Sequence, residues 1–125
     1  MNAHLLLVED HEPTRVILAR ILTSHGYKVA CAKSGAEAVK LATNSPFDLV
    51  VMDHGLPDGD GRAYMKVLHE TFHLNGIALT ARAAASDDRM SREAGFRDHL
   101  SKPVDARRIV SAIEAALEGK KRAES

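Results

Sequence analysis

Four consecutive apolar residues, Leu49-Val50-Val51-Met52, stop abruptly at Asp53 and are followed by His54-Gly55-Leu56-Pro57-Asp58-Gly59-Asp60-Gly61. An unbroken apolar run suits a strand covered on both faces by helices, because a strand with one wet face would alternate apolar and polar residues. Glycine, proline and aspartate then force the backbone to turn. Asp53 is therefore predicted at the carboxyl end of a buried strand, the rim where open α/β sheets bind ligands.

The pattern recurs. Leu5-Leu6-Leu7-Val8 is a second continuous apolar run, and it ends on Glu9 and Asp10. A helix follows, with Pro13 in its first turn, Ile17, Leu18, Ile21 and Leu22 as its inward stripe, and Gly26 at its end. Tyr27 to Ala32 has the mixed character of an edge strand, and Ser34-Gly35-Ala36-Glu37 has the spacing of a capping box opening a second helix that stops near Asn44-Ser45-Pro46. Asp60 is placed to cap a third helix with Tyr64, Val67, Leu68 and Phe72 on one face, closed by Asn75-Gly76. Ile77-Ala78-Leu79 is a short strand ending on Thr80, and Ser86 is placed to cap a fourth helix running towards Gly95. Asp98 to Ser101 is a weak fifth strand before Lys102-Pro103, and Ile109, Val110, Ile113 and Leu117 face inward on a last helix. Alternating strands and helices without internal repeats predict right-handed crossovers and a parallel, doubly wound α/β sheet between two helical layers.

With 125 residues the chain has room for one core, read as residues 1–119, and residues 120–125 form a polar tail or the start of a linker. Seventeen basic and seventeen acidic side chains cancel. No net field therefore draws the chain to nucleic acid or anionic lipid. The apolar run near the amino end is too short for a signal peptide or a membrane span, and the lone Cys31, expected to be a small buried apolar residue, fits a reducing cytoplasm.

Such a sheet collects Glu9, Asp10 and Asp53 at one rim, with Thr80 as a hydroxyl and Lys102 as the nearby cation. Crowded carboxylates repel, and a hard divalent cation such as magnesium relieves the repulsion, with Asp10 and Asp53 as direct ligands. A carboxylate so placed can attack phosphorus if the metal and a positive side chain absorb the transferred charge.

Over essentially its whole length the chain resembles a response-regulator receiver domain of two-component phosphorelays. The matching features are Glu9-Asp10, Asp53 with Leu56-Pro57 and Gly59-Asp60-Gly61, Thr80-Ala81, and Lys102-Pro103. The resemblance implies a flavodoxin-like sandwich of five parallel strands in the order 2-1-3-4-5 with five helices. It implies that Asp53 accepts a phosphoryl group from a histidine of a sensor kinase or phosphotransfer protein. Magnesium, or manganese in its place, would be held by Asp10, Asp53 and the backbone carbonyl of Gly55, with Glu9 acting through water. Lys102 would contact the phosphoryl group, the Lys102-Pro103 bond would be cis, and Thr80 would turn inward, reshaping the surface around the fourth and fifth helices. The product is a signalling state of the domain, not a released compound. A stand-alone regulator, part of a longer one and a receiver of a hybrid kinase all fit.

His99 stands where the family usually has a switching tyrosine or phenylalanine, and Gly55 and Arg82 occupy positions that in the family tune loss of the phosphoryl group. Two competing chemistries are legible. His69-Glu70-Thr71-Phe72-His73 matches the HExxH pattern of zinc metallopeptidases, although near a helix end. A phosphatase with an aspartate nucleophile would need a general acid where Gly55 stands. Asp58 and Asp60 read as turn and cap residues.

Overall fold

The computed structural model describes residues 3–81 and 88–124. Its elements are β1 (His4–Val8), α1 (Glu12–Ser24), β2 (Lys28–Ala32), α2 (Gly35–Asn44), β3 (Leu49–Asp53), the two-residue ribbon strands β4 (Gly55–Leu56) and β5 (Gly59–Asp60), α3 (Gly61–Phe72), β6 (Gly76–Thr80), α4 (Asp88–Ala94), β7 (Phe96–Ser101) and α5 (Ala106–Glu124). The long strands form one parallel sheet in the order β2-β1-β3-β6-β7, which is the expected 2-1-3-4-5 arrangement once the ribbon is set aside.

The apolar runs behave as their composition demands. Leu6, Val8, Val50, Met52 and Ala78 face a core shared with α2 and α3, and Leu5, Leu7, Leu49, Val51, Ile77 and Leu79 face a second core shared with α1 and α5. Each apolar residue of β1 and β3 thus meets a helical layer on one face or the other, and burying a leucine or valine side chain contributes about 1.5–3 kcal/mol. Because the chain leaves β1 for the edge strand β2 and returns to β3 on the other side, the strand order reverses between β1 and β3. A crevice opens there, beyond their carboxyl ends.

Several local expectations shift. Ile17 is 58% exposed and Val67 42% exposed. Each precedes a buried leucine, Leu18 or Leu68, and one residue on a helix rotates the side chain by about 100°. On α3 the predicted Leu68 is buried and Tyr64 and Phe72 pack half-buried against the core, while Gly61 and Met65 complete the inward stripe in place of Val67. That helix also ends before Asn75-Gly76: His73 takes the left-handed conformation (φ 58°, ψ 34°) and its N–H bonds back to His69. Cys31 is exposed on β2, the edge strand of the sheet among the described residues. The helix α5 continues through the polar residues after Gly119 to Glu124. The predicted cap Ser86 lies outside the described residues, as does Arg82.

Candidate acidic phosphoacceptor site

At the crevice, Glu9 and Asp10 follow β1 directly and Asp53 is the last residue of β3. One ligand oxygen from each of these three acids lies within 4.8 Å of the others. The Lys102 ammonium comes from the loop after β7 and stands 2.8 Å from Glu9 Oε1 and 2.9 Å from Asp53 Oδ2. The Lys102 backbone N–H donates to the Thr80 carbonyl at 2.9 Å, tying that loop to the end of β6. The Lys102-Pro103 bond is cis. Gly55 donates its N–H to Asp53 Oδ1 at 3.2 Å, and Gly61 fits beneath this turn, where a Cβ would come within 2.6 Å of the Asp53 carbonyl oxygen.

Among the described residues, the buried polar and charged side chains are Glu9, Asp53 and Thr80. All three stand at one rim. A buried charge is costly unless partnered, so this concentration marks the place where the fold tolerates polar burial. Burial pushes the Glu9 carboxyl above its ordinary value; the Lys102 ammonium pulls it down and the neighbouring Asp53 pushes it up again. Desolvation works against the charged form of Lys102, yet its hydrogen bonds to Glu9 and Asp53 prevail and raise it. Three acids stand against the Lys102 ammonium and the Arg15 guanidinium, which donates to the Glu9 and Asp10 carbonyl oxygens at 3.1 and 3.3 Å, and a hard divalent cation matches this set of oxygen donors.

The candidate residues Glu9, Asp10, Asp53, Gly55, Thr80 and Lys102 therefore converge on one rim. The HExxH residues form no comparable centre. His73 lies beyond the end of α3, His69 Nδ1 is 2.8 Å from the Leu74 carbonyl oxygen, and among the described residues no second group of three potential metal ligands comes together. Gly55 brings no side chain that could serve as a phosphatase acid. His99 is half-buried, and its ring lies 5.8 Å from that of His54, the residue after Asp53, and 6.0 Å from that of Phe96.

Sequence reasoning identified Asp58 as a turn residue but missed its partners. Its carboxylate accepts the N–H groups of Gly35 and Ala36, both at 3.0 Å, and the Tyr64 hydroxyl at 3.0 Å. The acid thus caps α2, a helix 23 residues earlier in the chain. No local signal points to such a contact. Asp60 caps α3 as expected, accepting the Arg62 N–H.

The response regulator receiver domain family matches residues 5–114. The chain is 32% identical over 117 residues to the TorCAD operon transcriptional regulatory protein TorR of Escherichia coli O157:H7, covering 94% of this chain and 51% of that protein. It is also 32% identical over 120 residues to the polar-differentiation response regulator DivK of Brucella ovis, covering 94% of this chain and 98% of that protein. The chain thus spans about half the length of TorR and nearly all of DivK. Among solved structures, a CheY-like receiver domain protein from Methanospirillum hungatei JF-1 superposes with a TM-score of 0.91 at 25% identity, covering 98% of this chain and 99% of that one. Fold, family match and relatives agree: the chain belongs to the response regulator receiver domain family of two-component signalling.

Proposed function

We propose that Asp53 is the phosphoacceptor of this receiver domain, and that its donor is a phosphohistidine on a sensor histidine kinase or a histidine phosphotransfer protein in the cytoplasm. The observation that carries the reading is the buried Asp53 carboxylate held 2.9 Å from the Lys102 ammonium at the sheet's switch point. In the reaction a carboxylate oxygen of Asp53 bonds to phosphorus as the phosphorus–nitrogen bond breaks, and the bonding pair returns to the donor imidazole. Lys102 exchanges part of its contact with the acids for the incoming phosphoryl oxygens, and the Gly55 N–H keeps the carboxylate oriented. Asp10, Asp53 and the Gly55 carbonyl would hold magnesium or manganese, with Glu9 acting through water, and the ion supplies neutralisation of charge on the transferring group.

A cleft of about 420 Å³ lined by Thr14, Ile17, Leu18, Lys102, Pro103 and Val104 adjoins this site. Its apolar wall and the exposed Ile17 suit approach by a folded donor domain. The phosphorylated acid carries roughly 1.5 to 2 negative charges and three acceptor oxygens. Thr80, buried at the end of β6 and paired in register with Ser101 of β7, offers a hydroxyl to them. Movement of Thr80 would change the surface around α4 and α5, which is the output. The domain is a signalling element whose only chemistry is gain and loss of its own phosphoryl group.

Intact-mass measurement after incubation with magnesium and a small phosphodonor tests this. The parent gains one phosphoryl group and Asp53→Ala gains none. Equal modification of both proteins, or of neither, overturns the assignment.

A further inference from the structure

Gly55, whose carbonyl is the backbone ligand of the proposed cation site, has little of its own to hold it. It carries no side chain, and no heavy atom lies within 4 Å of where a Cβ would stand, apart from its immediate chain neighbours. The restraints on it are its N–H to Asp53 Oδ1, the pairing of β4 with β5, in which Gly55 opposes Asp60 and Leu56 opposes Gly59, and the burial of the next residue, Leu56, in the core. A two-residue ribbon is marginal by itself.

The ribbon's tip is nevertheless fastened. Pro57 and Asp58 form the turn between its strands, and the Asp58 carboxylate takes both Gly35 and Ala36 N–H groups at the start of α2. Those amides have no partner within their own helix, and the helix dipole favours an anion there. Tyr64 of α3 completes the fastening. Its hydroxyl donates to the same carboxylate at 3.0 Å, and its ring lies flat against Gly35, where a Cβ would come within 2.1 Å of it. Three separate elements thus meet at the far end of the ribbon from the acids.

We infer that Asp58 is a positioning residue for the cation site: by tying the ribbon tip to the first turn of α2, it holds the Gly55 carbonyl where a metal ion would meet it. The inference rests on the receiver-domain reading of the site. Asp58 touches neither the metal nor the phosphoryl group and acts only through the ribbon.

Two measurements on Asp58→Ala and Asp58→Asn test it. The first is amide hydrogen exchange of the full chain without metal, where Asp58→Ala loses protection at Gly35, Ala36 and the ribbon amides while the central strands keep theirs. The second is calorimetric titration with magnesium chloride well below the unfolding temperature. Asp58→Ala weakens magnesium binding roughly tenfold, the low end of what outer-sphere partners of a metal site contribute. Asp58→Asn, which keeps one acceptor oxygen, recovers part of both effects. Unchanged exchange at the ribbon, or unchanged magnesium affinity in Asp58→Ala beside a parent that binds, overturns the positioning role. A parent that takes up no magnesium overturns the cation site itself, and the exchange result then still decides whether Asp58 holds the ribbon.

Discussion

Lys102 Nζ stands 2.9 Å from Asp53 Oδ2, across 49 positions of sequence. The same ammonium reaches Glu9, so one cation serves two buried acids. Replacing Lys102 with methionine leaves those acids facing each other without the ammonium between them. Breaking a fully buried pair costs 3–5 kcal/mol, and because Lys102 is 28% exposed we expect a loss of about 2 kcal/mol in metal-free buffer. Urea unfolding with and without magnesium checks this: the deficit narrows when the ion is added. A variant as stable as the parent without metal would contradict it.

Asp58 gives a pH dependence with a definite sign. The Gly35 and Ala36 N–H groups hold its carboxyl below the ordinary 3.8. The folded state thus favours the ionised form. Its stabilisation is present above pH 3.8 and is lost as the pH falls through the lower folded value. Asparagine does not titrate, so the urea midpoints of the parent and Asp58→Asn differ at neutral pH and converge on acidification. A gap that acid leaves untouched would show that the carboxylate charge is irrelevant to the cap.

Tyr64 reports on the same contact. The hydrogen bond to Asp58 raises its phenol above the ordinary 10.0. In a Tyr27→Phe background, which leaves one tyrosine, ultraviolet titration of the phenolate shifts to lower pH when Asp58 becomes alanine. An unmoved titration would mean that the hydroxyl is not engaged in solution.

Gly61 lies under Asp53, where an added Cβ would sit 2.6 Å from the Asp53 carbonyl oxygen and 3.0 Å from His54 Cα. Both neighbours are backbone and cannot step aside cheaply. Gly61→Ala should cost about 1–3 kcal/mol in urea unfolding. It should also slow phosphoryl uptake, followed by intact mass, because the turn carrying Gly55 must move.

His73 ends α3 in the left-handed conformation, which a side chain disfavours by roughly 1–2 kcal/mol. Glycine removes that cost but gives the unfolded chain more freedom, leaving a net gain of about 0.5–1 kcal/mol for His73→Gly. Urea denaturation reads it directly, and a destabilised variant would contradict the strain argument.

How much was legible beforehand follows from the range of each interaction. The two apolar runs ending in Glu9-Asp10 and Asp53 announced central parallel strands, because a strand covered on both faces is apolar at successive positions and a run of four followed by a helix start or a turn is too short for a buried helix. The capping roles of Ser34 and Asp60 were equally readable, each acid or hydroxyl meeting an N–H two or three residues away. Ile17 and Val67 were misread because a hydrophobic residue beside a buried leucine looks inward until neighbouring helices set the width of the stripe.

What the amino-acid order determined by itself is the alternation of elements and the chemical kind of residue that terminates each central strand, since both follow from local periodicity and turn chemistry. Only the tertiary structure decided that one ammonium bridges Glu9 and Asp53, that Asp58 caps α2, and that His73 leaves the helix before an HExxH pair can form. These depend on groups brought together across many residues, or on where a helix stops against its neighbours, and a one-dimensional pattern carries no distance between such groups.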